Sequence, residues 1–305
     1  MDKLQDESLN DILVTICVST YNRPEGLDKI LNCLTQQTHK NLQIIVSDDC
    51  SPNKSVASVF ARHASRDKRM EFYLQETNLG YSKNLKFLVS RAVGDYVMWC
   101  DDDDWYDQDY VQKCLAALLS NKPALTAFPY YSEADENGEK ISGYPDQSKL
   151  LDRLAHGNRY FRMLAYLFRY DGYGYCNIYY GLHRKTVLSW FDPEEFLSKF
   201  GSGLDQEFGM KLVSLSPVAV VREELLKKTV NNEKQYEQKD SPNSSGSTLK
   251  ELCAKGGLQV ASCARAVANY SRLLKPHQSL LIFLISPIWI LSVILINGLK
   301  RFSRA

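Results

Sequence analysis

The chain lacks an excess of either charge: 37 basic and 36 acidic side chains leave it at +1. Bulk electrostatic binding to nucleic acid therefore has nothing to rest on. Its eight cysteines never form the CxxC pairing that metal sites use. Cys17, Cys33, Cys50, Cys100, Cys114 and Cys176 lie within or beside apolar stretches, which suits reduced, buried thiols in a cytosolic compartment. There is no GxGxxG and no GxxxxGK[ST], so neither a dinucleotide fingerprint nor a P-loop is available to hold phosphate. Residues 1–11 are polar, without the hydrophobic core of a signal peptide, and read as a loose leader.

Against these absences stands a regular alternation. Ile12 to Val18 is a continuous apolar, β-branched run, the pattern of a strand buried on both faces. Leu27, Ile30, Leu31 and Leu34 then recur at helical spacing. A second buried strand, Leu42 to Val46, precedes a helix marked by Val56, Val59 and Phe60. A third strand near Met70 to Gln75 and a helix marked by Leu85, Leu88, Val89 and Ala92 lead to a fourth strand, Asp95 to Cys100. Strands alternating with helices imply an α/β fold with a mainly parallel central sheet and right-handed crossovers.

Ligands of such sheets bind at the carboxyl ends of the strands. Here those ends carry Thr20 and Tyr21, then Asp48 and Asp49, then Asp101, Asp102, Asp103 and Asp104. Four consecutive carboxylates repel one another, and a divalent cation would relieve the repulsion while bridging to phosphate. The plainer alternative is an acidic turn capping the next helix. With phosphate-binding loops absent, the residues alone support a metal–nucleotide site and do not name a reaction.

VSTYNRP, IIVSDDCSPN and NLGYSKNLKFLVSRAVGDYVMWCDDDDWY, in this order and spacing, resemble the family 2 glycosyltransferases of the GT-A fold. The resemblance covers residues 12–120 and continues more loosely to about 225. It implies a nucleotide-diphosphate-sugar donor, a divalent cation (Mn²⁺ or Mg²⁺) and inversion at the anomeric carbon. By matched position it implies that Thr20 and Tyr21 line the nucleoside and that one carboxylate of Asp48 and Asp49 reads the base. Lys83 stands where the family often has Arg, as a candidate phosphate contact. Asp101 and Asp103 match the two aspartates of the DXD pattern and are the implied metal ligands. Asp102 fills its variable position and joins Asp101 as a candidate donor contact, while Asp104 is an implied structural partner. Gly201 to Leu212 resembles the family's E-D-x-[DE]-[FL] element, whose Asp deprotonates the acceptor hydroxyl. That makes Asp205 the implied catalytic base and Glu207 the fallback, although Leu204 stands where Glu is common.

The family also carries a histidine-bearing loop after this element, whereas no histidine stands between His183 and His277. A helix rich in Val111, Leu115, Leu118 and Leu119 leads to a strand over Leu125 to Tyr131 and a hairpin turn at Asp135 to Gly138. The Tyr-, Phe- and Arg-rich stretch from Leu150 to Tyr180 is either an acceptor or lipid-phosphate surface or helix packing. Glu223 to Ser247 is strongly polar and reads as a linker or loop.

The expected organisation is a nucleotide-sugar-binding half at 12–120, an acceptor-binding and catalytic half at 121–235, a linker at 236–248 and a membrane-associated tail at 249–305. Leu280 to Ile296 is apolar apart from Ser286, Pro287 and Ser292, at the lower limit of the roughly 17 to 25 residues a membrane-spanning helix needs. The expected location is the cytoplasmic face of a membrane, anchored near 279–297 by a single span or a re-entrant hairpin. The implied partners are the donor, a carbohydrate or lipid-linked acceptor, and membrane lipid, in surface-polysaccharide or glycolipid assembly. Two other classes remain open: a nucleotidyltransferase, and a membrane-anchored, non-catalytic sugar-nucleotide-binding protein.

Overall fold

A computed structural model describes residues 9–142, 147–167, 177–200 and 204–229. The proposed linker and membrane-associated tail lie outside the described residues. Among the described residues no helix is long and apolar enough to cross a membrane.

Strands β1 (Val14–Thr20), β2 (Leu42–Asp48), β3 (Met70–Leu74) and β4 (Tyr96–Cys100) form one side of a nine-stranded sheet, in the order β3-β2-β1-β4. Their pairings are parallel, with Val14 opposite both Leu42 and Tyr96. Ile16, Val18, Ile44, Val46, Val97 and Met98 are fully buried, which is why these strands read as unbroken apolar runs. Between them lie α1 (Pro24–Thr35), α2 (Ser55–Ala64) and α3 (Tyr81–Ser90). Each turns a periodic apolar face inward, for α1 through Leu27, Ile30, Leu31 and Leu34.

The sheet then changes character. β8 (Leu182–Arg184) runs antiparallel to β4, and the order continues through β6 (Thr126–Ala134) and β9 (Val218–Thr229) to β5 (Trp105–Tyr106). β7 (Lys140–Ser142) pairs with β6 through a turn in which Asp135 Oδ1 accepts the Asn137 and Glu139 amides, both at 2.9 Å. The sheet is therefore mixed. Its parallel part is confined to β1–β4 and the β6–β9 pair. The simple alternation of elements ends after β4, and short returning strands fill the centre.

Glu223 to Thr229, expected in a linker or loop, belongs instead to β9. Its polarity has a local cause: Arg222 pairs with Asp152, Glu223 with Lys113 and Glu224 with Lys140, while Leu225 and Leu226 are buried. The helices of this half are α4 (Tyr110–Ser120), α5 (Gln147–Ala155), α6 (Arg159–Leu167), α7 (Pro193–Phe200) and α8 (Leu204–Leu215). The aromatic stretch resolves in part into packing. Tyr166 and Tyr179 are buried, and Arg162 donates to the carbonyls of Val213 and Gly157 at 3.0 and 2.7 Å.

Candidate active site

Residues 101–104 leave the end of β4 in a turn, and their neighbours divide four identical side chains into two kinds. Asp102 and Asp104 are 3% and 1% exposed. Asp102 accepts the Thr20 hydroxyl at 2.9 Å on one oxygen and the Arg23 guanidinium at 2.7 Å on the other. Asp104 accepts the Lys228 ammonium, and the Thr229 amide at 3.2 Å. Asp101 and Asp103 are less buried. Asp101 takes the Tyr180 hydroxyl at 2.6 Å, and Asp103 meets Arg23 at 3.3 Å. The backbone carbonyl of Asp103 is held by Lys29 and by the Thr229 hydroxyl.

Burial disfavours ionised carboxylates. It pushes Asp102 up to about 6, against Arg23 and Thr20, and Asp104 up to about 6, against Lys228. Asp101 is raised for the same reason. Among the described residues four carboxylates meet three basic side chains, Arg23, Lys29 and Lys228, which do not balance the fully ionised run. Carboxylate oxygens of Asp101, Asp103 and Asp104 lie within 4.8 Å of one another. A compact all-oxygen donor set of this kind suits Mg²⁺ or Mn²⁺.

The other strand ends are less uniform than the sequence suggests. Tyr21 is 46% exposed, free to line a ligand, whereas the Thr20 hydroxyl is buried and spent on Asp102. Asp48 accepts the Ser51 amide at 3.1 Å and the Ser51 hydroxyl at 2.5 Å, both on Oδ1. Asp49 gives both oxygens to backbone amides, of Leu79 at 2.7 Å and of Gly80 at 2.9 Å. It pins the loop entering α3, where Gly80 takes φ +79°. A donor contact through the side chains of Thr20, Asp49 or Asp102 would break bonds already made within the protein. Both Asp48 and Asp49 are buried, at 2% and 4% exposed, and of the two Asp48 is bonded through one oxygen alone among the described residues. Lys83 is exposed in the first turn of α3.

Asp205 lies in the first turn of α8, partly exposed. Two links connect it to the acidic run. Burial raises the Tyr179 phenol well above its usual range, and the charges of both Asp101 and Asp205 act on it in the same direction. Beneath lies an aromatic cluster: Trp99, one residue before the end of β4, stacks on His183 at 4.7 Å and meets Tyr179 at 5.1 Å and Phe208 of α8 at 5.4 Å. Glu207 is 3% exposed, so the fallback base is withdrawn from solvent.

The sequence profile of glycosyl transferase family 2 matches residues 15–188, more than half of the chain. The chain belongs to this family. Among its relatives, the glycosyltransferase GlyA of Streptococcus pneumoniae is 30% identical over 130 residues, 43% of this chain and 18% of GlyA. An uncharacterized glycosyltransferase of Haemophilus influenzae is 30% identical over 155 residues, 50% of this chain and 60% of that protein. The match thus spans less than two thirds of either relative. TarS 1–349 of S. aureus, solved in complex with UDP, superposes with a TM-score of 0.55 at 16% identity, covering 96% of this chain and 92% of TarS 1–349. At that identity the likeness establishes the fold.

Two residues of this site, Arg23 and Lys228, have partners that their local sequence does not reveal. Arg23, in the loop after β1, joins Asp102 and Asp103 at a separation of 79 and 80 residues. Its place in the VSTYNRP motif was visible, but nothing local pointed to its partners. Lys228 reaches Asp104 across 124 residues from a segment that read as linker. A basic residue at the end of a strand pairing with Trp105–Tyr106 is recognisable only once that pairing is known.

Proposed function

We propose that this protein is a glycosyltransferase that moves a sugar from a nucleoside-diphosphate donor to a hydroxyl acceptor, with a divalent cation and with inversion. The observation that carries the reading is the sorting of the acidic run. Asp102 and Asp104 are buried with both oxygens bonded within the protein, while Asp101 and Asp103 are more exposed and are bonded through one oxygen each, to Tyr180 and Arg23; Asp101 and Asp205 both bear on the Tyr179 phenol.

In this reading Tyr21 and Asp48 receive the nucleoside, and Lys83 approaches its phosphates. Asp101 and Asp103 would hold the divalent ion. When bound, that ion supplies positive charge to the departing nucleoside diphosphate. Asp205 takes the proton of the acceptor hydroxyl as the oxygen attacks the anomeric carbon. The bond from that carbon to the diphosphate oxygen breaks, and the electron pair leaves with the nucleotide. Placement supplies most of the effect, because the carboxylate need only accept the proton as the new bond forms. A single displacement inverts the configuration. The acceptor is proposed to be a carbohydrate or a lipid-linked sugar at a membrane face. The membrane part rests on the apolar run at 280–296 alone, and carbonate extraction of the full chain would disprove integral anchoring.

The decisive test incubates the purified full chain with Mn²⁺ or Mg²⁺ and a panel of nucleotide sugars, beginning with UDP-sugars, and follows release of nucleoside diphosphate. Turnover should fall by about three orders of magnitude in Asp103→Ala and Asp205→Asn. Release of pyrophosphate from a nucleoside triphosphate would replace this proposal with a nucleotidyltransferase. Donor binding without turnover on any acceptor would favour a non-catalytic binder.

A further inference from the structure

The most unusual neighbour of the acidic run is Lys228. Its side chain is 16% exposed and pairs with Asp104, whose side chain is 1% exposed. The ammonium also stands 3.8 Å from the centre of the Tyr180 ring, whose hydroxyl donates to Asp101 at 2.6 Å. Lys228 thus pairs directly with Asp104 and is separated from Asp101 by the Tyr180 ring it faces. It is held there by strand geometry. Lys227 opposes Trp105 in the β5–β9 pairing, Lys228 opposes Glu133 in the β6–β9 pairing, and the Thr229 amide caps Asp104 at 3.2 Å.

This position matters for a divalent ion. Oxygens of Asp101, Asp103 and Asp104 lie within 4.8 Å of one another, so an ion ligated by all three would sit against the Lys228 ammonium. Two cations a few ångströms apart, away from bulk water, repel strongly. Asp104 also has one oxygen on the Thr229 amide and the other on Lys228, which leaves it poorly placed to serve a metal unless the lysine withdraws.

We propose that Lys228 is a resident counter-ion of the acidic run, and that its pairing with Asp104 competes with a divalent cation for the carboxylate group. The inference rests on the reading that Asp101 and Asp103 hold such a cation. Its consequence is order in binding: the protein alone takes the ion weakly, and the negative charge of the donor's diphosphate offsets the repulsion. Cation and donor therefore bind cooperatively. A purely structural lysine would stabilise Asp104 and leave ion affinity alone.

The test titrates Mn²⁺ alone into the full chain and reads free Mn²⁺ by electron paramagnetic resonance. Lys228→Met keeps the length of the side chain and removes its charge, and it should bind Mn²⁺ at least about tenfold more tightly than wild type. Lys228→Arg, which keeps the charge, should stay near the wild-type value. Asp103→Ala should abolish the binding in either background. An unchanged or weakened affinity in Lys228→Met overturns the inference. If Lys228→Met fails to fold because Asp104 is left buried and unpaired, Lys228→Gln, which can still donate a hydrogen bond to Asp104 but carries no charge, takes its place. Tighter binding in Lys228→Gln supports the inference, and an unchanged affinity overturns it. Absence of Asp103-dependent binding in wild type and Lys228→Met alike would overturn the metal site itself. Asp103-dependent binding in wild type with no gain in Lys228→Met would overturn only the role of Lys228.

Discussion

At the scale of single residues, chemistry follows surroundings more than side-chain type. Asp102 and Asp103 are adjacent and identical, yet Asp102 is buried with both oxygens occupied while the Asp103 side chain is 35% exposed. His183 gives a similar case in the core. It is fully buried, its Nε2–H donates to the Tyr179 carbonyl at 3.0 Å, and burial pushes its pKa down to about 4. In the unfolded chain the imidazole titrates near its ordinary value of about 6.5. Between those two values the unfolded state binds the proton and the folded state does not, so stability is lost as pH falls from about 6.5 towards about 4. The loss is worth about 3 kcal/mol. Urea unfolding at pH 7 and pH 4 should show that His183→Gln, which has nothing to titrate, loses less stability over this interval than wild type. The buried Asp102 and Asp104, whose raised values act in the opposite direction, are common to both proteins and cancel in the comparison. An equal loss would mean that His183 is protonated in the fold.

At the scale of elements, α1 and the acidic turn constrain each other through Gly26. A Cβ at this position would stand 2.6 Å from the backbone oxygen of Asp102, and a backbone atom cannot step aside as a flexible side chain does. Helix propensity alone favours Gly26→Ala by about 1 kcal/mol. The contact predicts the opposite sign: thermal unfolding should show a net loss of stability, about 1–3 kcal/mol, together with slower turnover as the turn shifts. A stabilised variant would mean that the turn is free to move. The same elements explain what the sequence disclosed. β1, β2 and β4 were legible because burial on both faces demands unbroken apolar runs, and the acidic run at 101–104 because it follows such a strand directly; its division among the four aspartates was not. β9 was hidden because its exposed positions carry ion pairs. Its partners, at Asp152, Lys113 and Lys140, are far away in sequence. The bonds that withdraw Asp49 and Asp102 from a ligand were hidden for the same reason, since Leu79 and Arg23 are 30 and 79 residues distant.

At the scale of the described fold, residues 12–120 and 121–229 share one sheet. β8 inserts antiparallel beside β4, and β5, from the first half, closes the far edge against β9. Trp99 on β4 packs against His183 next to it and against Phe208 on the helix of Asp205. The proposed reaction, with Asp205 as base, requires that these elements not move independently, and the interleaved order ties them through shared strand pairings. Hydrogen exchange of the full chain in increasing urea tests the point. Backbone amides of 14–20 and 96–100 should lose protection over the same urea range as those of 126–134 and 218–226, because the halves part only when both the β4–β8 and the β5–β9 pairings break. Trp99→Ala, which removes the ring joining the halves and should cost about 3–5 kcal/mol, should lower both sets together. Opening of the second set at markedly lower urea than the first would show that Asp205 rides on a separately unfolding unit, and its geometry relative to Asp101 and Asp103 would then depend on the ligand bringing the halves together.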